Sequence, residues 1–285
     1  MTPMQALLAY MVAAYAVLFA GQAWALRRAG LPVQWPLRYR GQDARVRWAN
    51  KVLVQAVWVL ALLGIPLAMG MRPSRYFAPR LELARAWDLL LGFAVMVGGF
   101  AIACGLEAAA GWLRRQAAGA PGELRRRLRN AIVTPLPLAL VEEAVFRGLL
   151  LELLLQAWAD PAAAWPARGW PAGAVAAAWV LSSAAFSGAH FLKARRPGKP
   201  ALQPALGLFV VGLATGAGYL LAGRTLWLPV GLHAAGILGT ELLRARFELV
   251  GPAWLVGRRS FPHCGLIGVV TLVGVTLVLW AMRGG

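Results

Sequence analysis

The segment beginning at Val141 reads VEEAVFRGLL, so two adjacent glutamates and an arginine interrupt a mostly apolar stretch from Ala131 to Ala159. A charge at mid-bilayer costs roughly 2.5–3.5 kcal/mol on insertion scales, so such residues face a partner or a wet cavity. On a helix Glu143 and Arg147 are one turn apart and can pair. Glu142 is rotated about 100° from Glu143 and needs a partner elsewhere. AAFSGAHFL places His190 near the end of one apolar segment, and LPVGLHAAGILG places His233 within another. The third histidine, His263, falls in a loop. A carboxylate and an imidazole converging on one water can deprotonate it for attack on a peptide carbonyl. A second imidazole can donate to the oxyanion that develops. That chemistry is hydrolysis, and it needs no serine or cysteine nucleophile.

The elements that must position these groups are transmembrane helices. The chain has 285 residues, 60% of them apolar and 14% charged, and its mean hydropathy is +0.62. Apolar runs of about 18 to 25 residues suffice to cross a bilayer. The reading is all-α and polytopic, with about eight spans at 4–26, 52–71, 87–113, 131–158, 173–192, 205–222, 226–243 and 265–282. The run from the N-terminus to about Leu26 reads as a first span, since no basic stretch precedes it. Three regions follow: 1–130, N-terminal helices and basic loops; 131–243, a core with four spans; and 244–285, a basic loop and a last helix.

A net charge of +18 could indicate a nucleic-acid partner, but the cations are divided among loops between apolar spans, so no nucleic acid is expected. Odd-numbered loops carry twenty-one basic residues and the other side seven, so the richer side is expected to be cytoplasmic. RRQAAGAPGELRRRLRN (114–130) reads as a basic interfacial loop, and DPAAAWPARGWPAG (160–173) as a Pro- and Trp-rich one. Arg and Ala dominance points to a bacterial plasma (inner) membrane. Cys104 and Cys264 read as buried apolar residues rather than a metal or disulfide pair. Of the other acids, Asp88 opens a span, Glu107 could pair within its own, Glu152 is expected near the outer interface, and Glu241 is placed to bridge Arg244. None is assigned to catalysis.

Together these motifs resemble the CPBP family of intramembrane glutamic endopeptidases, which includes the CAAX prenyl endopeptidases. Glu142, Glu143 and Arg147 match Glu-Glu-x-x-x-Arg; Phe186 and His190 match Phe-x-x-x-His. His233 opens the third motif, His-x-x-x-Asn/Asp, but Ile237 stands at its last position. The resemblance covers about 131–240. It implies metal-independent hydrolysis without a cofactor: Glu142 and His190 activate water, Glu143 with Arg147 supports them, and His233 helps form the oxyanion hole. It also implies a membrane-anchored protein or peptide substrate in contact with the lipid bilayer. Substrate identity, cleavage site and oligomeric state stay open.

Each piece also has a plainer reading. Glu143–Arg147 could be a structural bridge, His190 an interfacial histidine, His233 a helix–helix hydrogen bond, and Phe186 is packing either way. The chain lacks His-Glu-x-x-His, a serine-protease pattern and an Asp pair within the spans. Ile237 favours an alternative, a non-proteolytic scaffold or immunity-type protein. A Glu/His proton-relay transporter is disfavoured by the lack of an internal repeat.

Overall fold

A computed structural model describes residues 1–33, 43–116, 133, 135–158, 172–194, 202–258 and 262–283. Most of the basic loop 114–130 and of the Pro- and Trp-rich loop 160–173 lies outside the described residues, as do the first residues of the expected fourth span. What is described is mostly helical, and six helices are long and apolar enough to cross a membrane.

Helix α1 (Pro3–Arg28) starts at a capping box in which Thr2 and Gln5 exchange hydrogen bonds. Helix α2 (Ala44–Ala68) starts at Asp43, whose side chain accepts from the Arg45 and Val46 amides. The two pack side by side, and few residues of α1 are fully buried along its apolar length. Then come α3 (Trp87–Ala109), a composite α4 and α5 (Ala172–Ala194). The last three are α6 (Leu202–Leu221), α7 (Trp227–Arg246) and α8 (Leu266–Arg283).

Two of these, α4 and α7, are not among the six spanning candidates. Both carry site charges, and both are buried inside the bundle. In α7 every residue from Leu228 to Ala235 is buried. Helix α4 has an α-helical segment Pro135–Glu143, a π-helical segment Ala144–Leu151 and an α-helical segment Glu152–Trp158. Its middle segment is buried except for Leu150.

Helices α3 and α7 run parallel in close contact. A Cβ on Gly92 would collide with the Leu228 carbonyl, and one on Gly231 with the Leu89 carbonyl. Further along, Gly239 faces the Phe100 ring. Small residues of this kind let membrane helices approach backbone to backbone. Strands β1 (Leu113–Arg115) and β2 (Phe247–Leu249) pair antiparallel beyond the ends of the two helices.

The opposite end of the bundle is tied by ion pairs. Arg283 at the end of α8 pairs with Asp88 at the start of α3. Glu152 is fully buried and accepts from Tyr219 at 2.7 Å, from Arg80 at 3.0 Å and from Arg224 Nε at 2.7 Å. Glu152, expected near the outer interface, lies at this end of the bundle and is sealed in protein. Its direction follows the π winding, which closes on the fifth residue rather than the fourth. At about 100° per residue an α-helix would set Arg147 and Glu152 roughly 140° apart. With the wider turn both reach α6, Arg147 at Gly212 and Glu152 at Tyr219. The Ser182 hydroxyl on α5 donates to the Phe146 carbonyl of the π segment at 2.8 Å.

Candidate active site

The acid pair ends the first segment of α4, directly before the π winding. Glu143 and Arg147 are sealed from solvent, and their Oε2 and Nε atoms lie 3.1 Å apart. Arg147 Nη2 also donates to the Gly212 carbonyl at 2.8 Å and to the Thr215 hydroxyl. A buried guanidinium demands this much pairing. Its place is therefore fixed from α6 as well as from α4.

The other Glu143 oxygen, Oε1, lies 2.7 Å from His233 Nδ1. A carboxylate accepts, so Nδ1 carries a proton. His233 Nε2 then points at Glu142, 3.5 Å from Oε2. His190 comes from the other side, with Nε2 3.3 Å from the same oxygen. Its Nδ1 lies 2.9 Å from the Phe186 carbonyl one turn back, so that nitrogen is the donor and Nε2 is the one left to exchange protons with Glu142. Two imidazoles thus present their Nε2 atoms to one carboxylate oxygen. A proton shared within this group makes the short approaches attractive, and the same arrangement can pass one to or from water.

Phe186 packs, as expected, and what it packs against matters. Its ring lies 4.4 Å from that of His190, and edge-on to His233 at 5.5 Å. The Arg147 guanidinium sits 4.9 Å over it, a cation–π distance. One buried ring therefore touches three members of the constellation.

Glu142, His190 and His233 line a cavity of about 410 Å³. The structure brings Glu142, Glu143, Arg147, His190 and His233 together from three helices. Ile237, one turn beyond His233, also lines the cavity, so the departure from the family motif falls on its wall. Sequence reasoning missed four contributors. Thr215 and Gly212 hold Arg147, but a threonine and a glycine in an apolar helix give no signal. His263, set aside as a loop residue, lines the same cavity. Burial holds its imidazole down at about 4, and the nearby His190 and His233 push the same way. Glu107 lines the cavity too and makes no side-chain hydrogen bond or ion pair with another described residue. Glu241 bridges Arg244 at 2.6 Å, as its spacing implied.

Residues 125–236, well under half of the chain, match a family described as Rce1-like: Type II CAAX prenyl endopeptidase Rce1-like. No curated protein and no solved structure matches the chain. The match contains all five constellation residues and stops just short of Ile237. It supports the likeness of this membrane protein to the CPBP, or CAAX-protease-like, family that its motifs carry.

Proposed function

We propose that the protein is a metal-independent glutamic endopeptidase that hydrolyses a peptide bond of a membrane-associated protein or peptide. The single observation that carries this reading is the convergence of two imidazole Nε2 atoms, at 3.3 and 3.5 Å, on one Glu142 oxygen in a cavity wall. Water held between Glu142 and His190 gives its proton to this pair as its oxygen adds to the carbonyl carbon. His233, when its ring carries both protons, donates from Nε2 to the oxyanion, while Glu143 stabilises the ring's charge through Nδ1. Arg147 balances Glu143 and fixes its position. Collapse of the tetrahedral intermediate returns a proton to the leaving amine and frees the carboxylic acid. The roles follow the rules of preorganised electrostatics and proton transfer.

The residues 131–243 form the catalytic core in this reading, and the basic side of the bundle faces the cytoplasm of a bacterial cell. The site lies toward that side: Glu142 is early in α4, and His190 is late in α5. The test is reconstitution of the full chain in liposomes with membrane-anchored peptides. Cleavage that survives chelators and disappears in both Glu142→Gln and His190→Ala supports the proposal; cleavage that persists in either variant overturns it.

One observation favours a second reading. Ile237 puts an aliphatic group on the cavity wall where the family motif has a polar one. A non-proteolytic scaffold or immunity-type protein on the same fold would keep its biological activity in all these variants.

A further inference from the structure

The cavity is acidic in a chain that is strongly basic. The protein carries a net charge of +18, yet Glu107, Glu142 and Glu241 all line this cavity. Among its described lining residues Arg244 is the sole Arg or Lys, and it is bonded to Glu241. Glu142 faces the two histidines. Glu107 is only 3% exposed and is left without a side-chain hydrogen bond or ion pair among the described residues. A buried carboxylate in apolar surroundings is costly without a partner. One aimed into a cavity can obtain that partner from a ligand.

The parallel packing of α3 and α7 gives its place. Gly92 lies between Leu228 and Leu232, Gly231 between Leu89 and Phe93, and Gly239 at Phe100, so His233 stands about level with residue 94. Glu107 is about thirteen residues further along α3, which is roughly 20 Å at helical rise. Phe100, Ala103 and Cys104 occupy the same wall between the two levels. An extended peptide covers that distance in about six residues. The wall is apolar for most of its length and anionic at one end. A lysine or arginine has this profile, with an apolar stem and a charged head.

We propose that Glu107 is a specificity residue that binds a basic side chain of the peptide, about six residues from the bond held at Glu142. The spacing rests on the peptidase reading above; the preference for a cationic side chain does not. Glu241 lies at the same end of the cavity and adds to the negative field, although its own pairing with Arg244 leaves Glu107 the principal contact.

Binding is measured on the full chain carrying Glu142→Gln, in nanodiscs, so that turnover plays no part. The probes are fluorescent twelve-residue Ala/Leu peptides with one lysine, norleucine or glutamate moved along the chain, corrected for binding to empty nanodiscs. The best-placed lysine peptide is expected to bind about tenfold tighter than its norleucine counterpart, as a desolvated charge pair allows. Glu107→Gln erases the difference, Glu107→Asp keeps part of it, and Glu107→Lys turns the preference toward glutamate. Equal binding of lysine and norleucine peptides by the protein with Glu107 intact overturns the subsite. So does an undiminished lysine preference in Glu107→Gln. With Glu142 restored, cleavage about six residues from the lysine supports the spacing, and cleavage at unrelated distances overturns it. Complete absence of cleavage refutes the peptidase reading and leaves the binding result to decide the subsite.

Discussion

Helix α4 carries two carboxylate centres nine to ten residues apart, and they are built in opposite ways. Around Glu152 both oxygens are taken by strong donors: Arg80, Arg224 and the Tyr219 hydroxyl. Around Glu142 the described neighbours are two imidazoles at longer range, and the residue lines a cavity. Both carboxylates are almost fully buried, so burial alone does not separate structure from chemistry. The partners do. Guanidinium groups keep their protons at any ordinary pH, which makes Glu152 an anchor. Imidazoles exchange theirs near neutrality, which lets Glu142 take part in a reaction. Glu143 stands between the two types, with Arg147 on one oxygen and His233 on the other.

Substitutions can break this contrast. Glu142→Gln is expected to lower the rate of peptide cleavage by about 10³-fold or more while leaving the thermal melt of the purified protein nearly unchanged. A large loss of stability in that variant would make Glu142 another anchor. Glu152→Gln should do the reverse. Breaking a buried, multiply bonded ion pair costs about 3–5 kcal/mol, so its melting temperature falls steeply in a detergent-based thermal assay. His233→Ala should reduce cleavage by about 10²-fold, the scale of one lost oxyanion donor, with a smaller change in KM than in kcat. Thr215→Val removes one hydrogen bond to Arg147 and is expected to cost about 1–2 kcal/mol of stability, read by the same melt. The smallest effect belongs to His263. Its depressed pKa means that the unfolded chain takes up the proton first, so stability is lost as pH falls from about 6.5 toward 4. Replacing it by Gln should flatten the acid side of the stability profile, measured as melting temperature between about pH 7 and pH 5.

The acid pair, its arginine and the two histidines were legible in the sequence because charge in an apolar segment is conspicuous and costly. Their helices were legible for the same reason that lipid needs long apolar runs. The fate of Glu152 was not. AVFRGLLL has the composition of an ordinary helix, and nothing in it announces a wider winding. Read at 100° per residue, Glu152 points away from Arg147, and nothing in the sequence marks α6 as the neighbour that both share. His263 was dismissed because helical periodicity says nothing about a loop that folds back over a cavity. The enclosure of α4, α6 and α7 was equally hidden, since sequence shows how apolar a segment is and not which neighbours surround it.

The wide winding from Ala144 to Leu151 also constrains how this chain can vary. Remove one residue there and the helix can relax to the common pitch, keeping its length and its oiliness. Its two halves, however, would lose their relative phase. Either the acid pair would swing off the histidines or the far carboxylate would swing off its arginines. Insertions and deletions, harmless in many membrane helices, should therefore be far less tolerable in these eight positions than exchanges of one side chain for another.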